Sequence, residues 1–155
     1  MAFLQIDYKS EALMRGVNIK VILPSDGMAG KWEPPYKTLY LLPGYSATAT
    51  ELITYLGLRG QSELKGIAIV LPDGENLFYQ DLPDRMTFYS TYVGKELVEV
   101  TRKMLPLSTK REDTFIGGIS MGGYGALYNG FKYRDTFSKV VAFSPASDAY
   151  MLLAK

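Results

Sequence analysis

Four short apolar runs constrain this chain more than any other feature. They are Thr38-Leu39-Tyr40-Leu41-Leu42, Ile67-Ala68-Ile69-Val70-Leu71, Thr114-Phe115-Ile116 and Val140-Val141-Ala142-Phe143, each ended by Pro, Gly or Ser. Continuous apolar runs of this length fit strands covered on both faces, which is the usual condition of parallel strands. Between them lie helix-patterned segments. Residues 50–58 open with Thr50 as a capping residue followed by Glu51. Residues 89–105 place Val93, Leu97, Val100 and Met104 on one side and Lys95, Glu96, Glu99, Arg102 and Lys103 on the other, and Pro106 ends the segment. Residues 121–131 form a third helix. Strands that alternate with helices specify an α/β fold, a mostly parallel sheet with helices on both faces.

Two further strands, 3–8 and 17–23, come first. In the second, Val17, Ile19, Val21 and Leu23 alternate with Asn18 and Lys20, the mark of a half-exposed antiparallel edge. No internal repeat or linker interrupts the chain, so residues 1–155 read as a single domain. In open parallel sheets, ligands bind beyond the carboxyl ends of the strands. Those ends here are the loops beginning at Pro43, Pro72, Gly118 and Ser144.

The third apolar run leads directly into Gly118-Ile119-Ser120-Met121-Gly122, and then into a helix. Strand, sharp turn and helix are the context in which G-x-S-x-G becomes a nucleophile elbow. Gly118 and Gly122 remove side chains that would collide with the strand or the helix. The N–H of Met121, at the helix start, points at the oxyanion of a tetrahedral intermediate. A second donor is expected from the loop Pro43-Gly44-Tyr45-Ser46 after the first run. The plainer reading of the same junction is a tight or anion-binding turn. A serine hydroxyl needs a base to take its proton, commonly an imidazole, and this chain has no histidine.

Other candidates are weaker. Asp148, just past the last run, sits where a carboxylate could orient a histidine, yet there is none to orient, and a loop or cap residue is the plainer reading. Asp73, in Pro72-Asp73-Gly74, is a pocket candidate or simply a turn residue. Asp73, Glu75, Asp81 and Asp84 match no known cation loop and read as a polar surface. Phe78, Tyr79, Phe88, Tyr89 and Tyr92 could wall an acyl or aryl pocket or simply pack under a loop. Lys110 and Arg111 read as solvated charges at the opposite end of the sheet from the elbow.

Composition narrows the classes. Seventeen basic and sixteen acidic residues give a net charge of +1, which is no footprint for nucleic acid. No cysteine is present, which removes disulfides and thiolate metal sites and suits a reducing compartment. No apolar run approaches the roughly 18 residues of a membrane span, and the start lacks a leader pattern, so a cytoplasmic protein off the membrane is expected.

The motifs Leu41-Leu42-Pro43-Gly44-Tyr45-Ser46, Val70-Leu71-Pro72-Asp73-Gly74, Lys110-Arg111-Glu112-Asp113-Thr114-Phe115-Ile116 and Gly117 to Ala126 resemble one family over nearly the whole chain. It is that of the bacterial esterases of the α/β-hydrolase fold, of the tributyrin and acetyl esterase type. S-formylglutathione hydrolase and the antigen-85 acyltransferases are more distant kin. The resemblance implies a serine carboxylic-ester hydrolase with no cofactor or metal, acting on a small ester substrate. Ser120 would be the nucleophile, the N–H groups of Tyr45 and Met121 the oxyanion hole, and Gly44, Asp73 and Tyr124 pocket residues. Two departures accompany it. Such esterases usually carry His-Gly where this chain has Pro43-Gly44, which reshapes that loop. They also run on for roughly another domain-scale hundred residues, and the triad order is Ser, then Asp, then His. This chain is therefore expected to lack the last strands, the histidine and the triad aspartate, and to be inactive or impaired alone. Its alternative is a non-catalytic α/β scaffold or an anion-binding fragment. The strand 140–143 would then be an exposed apolar edge, and a homo-oligomer is expected to form through it.

Overall fold

The computed structural model describes residues 1–26 and 31–146. Six strands form one sheet in the order β1-β2-β4-β3-β7-β8. They are β1 (Ala2–Ser10), β2 (Arg15–Leu23), β3 (Lys37–Leu42), β4 (Ile67–Pro72), β7 (Thr114–Ile119) and β8 (Lys139–Phe143). β1, β2 and β4 pair antiparallel, whereas β4, β3, β7 and β8 pair parallel. The four apolar runs are thus the four parallel strands. A two-stranded ribbon, β5 (Asp81–Leu82) with β6 (Thr87–Phe88), lies outside the sheet and leaves no pattern in the sequence.

The strand read as the edge, β2, is interior, and the true N-terminal edge is β1. On β2 the residues Val17, Ile19, Val21 and Leu23 are buried, and Ile22 is buried on the opposite face. That second buried face is the physical reason the alternation misleads: Ile22 meets the helices of the other layer. β1 shows the half-exposed pattern instead, with Phe3, Gln5, Asp7 and Lys9 exposed.

The first helical segment, 50–58, holds one helix and only the first residue of a second that the sequence did not announce. α1 (Ala49–Tyr55) is capped by Thr48, two residues ahead of the Thr50 suggested by the sequence. Thr48 and Glu51 form a reciprocal capping box: Glu51 N–H donates to Thr48 Oγ1 at 3.3 Å, and Thr48 N–H donates to Glu51 Oε2 at 2.7 Å. Gly57, at φ 59°, breaks the chain and starts α2 (Leu58–Lys65), which ends at Gly66 in the same left-handed region. These two helices cover Ile22, Leu41, Ile69 and Leu71.

The long segment after β6 is helical throughout, as α3 (Tyr89–Thr91), a π turn over Tyr92–Glu96, and α4 (Leu97–Met104). The π turn rotates the following residues. The buried set becomes Val93, Leu97, Val98 and Thr101, while Met104, expected on the inner stripe, is half exposed. Thr101 then reaches Tyr40 at the sheet centre, 2.8 Å between hydroxyl oxygens. α5 (Met121–Lys132) packs beside this helix on the same face, under β7 and β8.

At the far edge β8 exposes Val141 and Phe143. On the α1–α2 side an apolar cavity of about 530 Å³ opens next to it, lined by Leu39, Leu41, Leu58, Ile69, Ile119 and Phe143. No helix among the described residues is long and apolar enough to cross a membrane.

Burial pushes the phenols of Tyr8 and Tyr40 up to about 12. The unfolded value is about 10, so the folded state resists deprotonation and the unfolded state does not. The associated stability is complete below about pH 10 and is lost as the pH rises towards about 12. Thermal melts across this range should show a level melting temperature up to about pH 10 and a fall beyond it. A melting temperature flat to about pH 12 would contradict the burial of these phenols.

Candidate active site

Ser120 lies between β7 and α5 with φ 55° and ψ −116°, a backbone conformation that non-glycine residues adopt only under constraint. Three hydrogen bonds supply the constraint. Its N–H donates to the Phe143 carbonyl at 2.9 Å, and its carbonyl accepts from Tyr124 N–H and Ala146 N–H, each at 3.0 Å. The result is an exposed side chain at the carboxyl rim of the sheet.

The glycines around it are required by contact. A Cβ on Gly118 would stand 2.0 Å from the Gly122 carbonyl oxygen. One on Gly122 would stand 1.9 Å from the Leu42 oxygen and 2.6 Å from the Pro43 oxygen. Gly44 comes against the serine itself: a Cβ there would be 3.2 Å from Ile119 O and 3.4 Å from Ser120 Cβ. The structure therefore brings Gly44, Gly118, Ser120 and Gly122 together. Met121 follows immediately, with its side chain buried and its N–H at the first turn of α5.

Tyr45 is 56% exposed, and its ring lies 6.2 Å from that of Phe78. Phe78 meets Tyr124 edge-on at 5.8 Å, and Tyr124 stacks on Tyr128 at 6.2 Å. Gln80 Nε2 donates to the Tyr124 hydroxyl at 2.5 Å. An aromatic wall thus runs from the Gly44 loop to the first turns of α5. Of the rings considered in the sequence, Phe78 belongs to it, while Tyr89 and Tyr92 meet edge-on with each other.

Asp73 is held elsewhere. Its Oδ1 accepts the Ala49 N–H at 2.8 Å, so it serves the start of α1. It also lines a separate cavity of about 500 Å³ with Arg15, Gly16, Glu75 and Tyr89. Asp81 is engaged by Thr91 and by Lys132, whose Nζ lies 3.1 Å away. Asp84 sits in a one-turn 3₁₀ segment, Pro83–Arg85. Among the described residues, no three His, Cys, Asp or Glu side chains converge as a metal site would need. Lys110 and Arg111 are exposed at the entry to β7, with Arg111 Nε donating to Arg134 O. Asp148 lies outside the described residues. No described side chain accepts a hydrogen bond from Ser120, and the sequence supplies no histidine.

The sequence reading missed the loop that supports the Pro43–Ser46 stretch. Asn76 Oδ1 accepts the Ser46 N–H at 2.6 Å, and the Tyr79 hydroxyl donates to the Pro43 carbonyl at 2.8 Å. Glu75, Asn76, Phe78 and Tyr79 all have positive φ. Only the Pro-Asp-Gly turn before them was visible in the sequence. Left-handed conformations at Phe and Tyr are uncommon enough that no local pattern announces them.

Three comparisons fit this geometry. The Esterase family model matches residues 10–151. An acetyl esterase of Caldicellulosiruptor saccharolyticus is 40% identical over 151 residues, covering 94% of this chain and 57% of that protein. Among solved structures, the fluorophosphonate-binding serine hydrolase FphF of Staphylococcus aureus superposes with a TM-score of 0.87 at 29% identity, over 99% of this chain and 61% of that one. The S-formylglutathione hydrolase FrmB of the same organism gives 0.84 at 30% identity with the same coverage. The chain thus spans roughly three fifths of the length of the relatives it matches.

The elbow contacts generate a stability prediction. Gly122→Ala sets a methyl against two backbone carbonyls that cannot rotate away. It should cost at least the upper part of the about 1–3 kcal/mol typical of overpacking. Gly16→Ala is the control, since a Cβ there meets nothing within 4 Å. Urea unfolding of both variants checks this; equal midpoints would remove the steric account of the elbow.

Proposed function

The chain belongs to the Esterase family, and from that premise we propose that it carries the nucleophile half of a serine carboxylic-ester hydrolase. One observation supports this most directly: Ser120 is held at positive φ on the sheet rim, exposed, with the backbone of Gly44 against it. In this reading Ser120 Oγ attacks the carbonyl carbon of a small ester. The Oγ–C bond forms, and the carbonyl electrons move onto oxygen, which accepts from the N–H groups of Met121 and Tyr45. Collapse breaks the C–O bond, and the alcohol leaves with the proton that Ser120 gave up. Water then adds to the acyl-serine and releases the acid. The wall of Phe78 and Tyr124 borders the space where an acyl group would lie.

An imidazole able to take the Ser120 proton is not among these 155 residues. The chain alone is therefore expected to be inactive or strongly impaired, with residual turnover of roughly a thousandfold over water from binding and oxyanion contacts. The absence of histidine also favours a second reading, a non-catalytic α/β scaffold whose elbow is a remnant. A fluorophosphonate probe and p-nitrophenyl acetate separate the two. Slow labelling of Ser120 that vanishes in Ser120→Ala, together with weak burst hydrolysis, supports the esterase reading. A serine that is neither labelled nor acylated after prolonged exposure leaves the scaffold.

We also propose that copies of the chain associate through β8, whose exposed Val141 and Phe143 edge is a template for pairing. The lack of cysteine suits a cytoplasmic setting for such an assembly. Size-exclusion chromatography with light scattering should return a dimer or larger species. A clean monomer at high concentration would end this part of the proposal.

A further inference from the structure

Tyr79 is fully buried within the loop that leaves β4. Its hydroxyl donates to the Pro43 carbonyl at 2.8 Å, and its own carbonyl accepts from Asn129 Nδ2 at 3.1 Å. Its φ of 56° is left-handed, so the ring is held in place against a backbone preference. Behind it runs a polar chain. Asn129 accepts from Ser90 Oγ at 2.8 Å, and Ser90 accepts from Lys132 Nζ at 2.8 Å. Two glycines make room for the ring: a Cβ on Gly74 would stand 2.2 Å from the Tyr79 oxygen, and one on Gly125 2.4 Å from Cδ2. Burial, with Tyr89 and Asp73 adding to it, raises this phenol well above its ordinary value, which keeps it a donor.

Proline has no N–H to anchor residue 43, so that residue is held through its carbonyl. The same peptide unit carries the Gly44 N–H at its other end, and planarity makes the two turn together. The next peptide is held by Ala47 N–H on the Gly44 carbonyl at 3.2 Å. The Ser46 N–H is held by Asn76 in an exposed contact, whereas the Tyr79 bond is buried. We propose that Tyr79 is a positioning residue, whose buried hydroxyl fixes the Pro43 carbonyl and thereby the peptide plane at Gly44, from which the Tyr45 N–H is aimed at the reacting oxygen beside Ser120. This rests on the esterase reading of Ser120.

Tyr79→Phe keeps the ring and removes the hydroxyl. Gly74→Ala keeps the hydroxyl and pushes a methyl against it. Tyr55→Phe, at a side chain 78% exposed, is the control. Two measurements are made on the 155-residue chain: ¹⁵N relaxation at Gly44 and Tyr45, and the rate of Ser120 labelling by a fluorophosphonate. For both loop variants the order parameters should fall from about 0.85 to below about 0.6. The labelling rate should fall about tenfold, in keeping with displacement of a donor by a fraction of an ångström. An equally rigid loop in both variants overturns the proposal, as does a loosened loop with undiminished labelling. If the unaltered chain is not labelled at all, it is the esterase reading that fails. The relaxation measurement then still decides whether Tyr79 holds the loop.

Discussion

The architecture turns on one place where two backbones touch without side chains between them. The carbonyl of Leu42, at the end of β3, lies against Gly122 in the first turn of α5, so closely that a single methyl would overlap it. The register of the parallel pair prepares this contact, because Leu42 stands opposite Gly118 across β3 and β7. Both strands therefore release their chains at the same level of the rim. One loop delivers Gly44, the other delivers Ser120, and they meet because neither has bulk to keep them apart. Parallel sheets collect function at their carboxyl ends for this topological reason.

The strain at Ser120 is affordable because it is local and well tied. A residue at an unfavoured φ costs about 1–3 kcal/mol. Three backbone hydrogen bonds, each worth about 0.5–1.5 kcal/mol net, converge on this one residue and offset that cost. The tyrosines add rigidity by another route. Tyr79, Tyr89 and Tyr92 are buried as a run of edge-on rings between the sheet and the helical layer. Burying phenols in this way keeps them protonated. Tyr79 donates to the Pro43 carbonyl, whereas Tyr89 accepts from Arg15 Nη2.

The parallel strands and the elbow were legible because short apolar runs and a glycine-flanked serine are patterns of neighbouring residues. The α1 cap was misplaced by two residues because Thr48 and Thr50 both satisfy the local rule, and the reciprocal bond to Glu51 chooses between them. α2 was hidden by its weak apolar stripe; Leu58 and Ser62 are its buried residues. The buried face of the long helix was misread from Val98 onward because a π turn at Tyr92–Glu96 breaks the period on which the reading relied. Asp73 sits near the rim as expected, but it is bonded to α1. Tyr79 stood in the sequence only as one ring of an aromatic cluster, because its bond to the Pro43 carbonyl joins residues 36 positions apart.

The Phe143 carbonyl that receives the Ser120 N–H belongs to the outermost strand, and Ala146 just beyond returns a bond to the Ser120 carbonyl. Ser120 is therefore tethered to the margin of the sheet as well as to its centre. The border of the sheet, and not only its middle, thus helps to fix the backbone at residue 120.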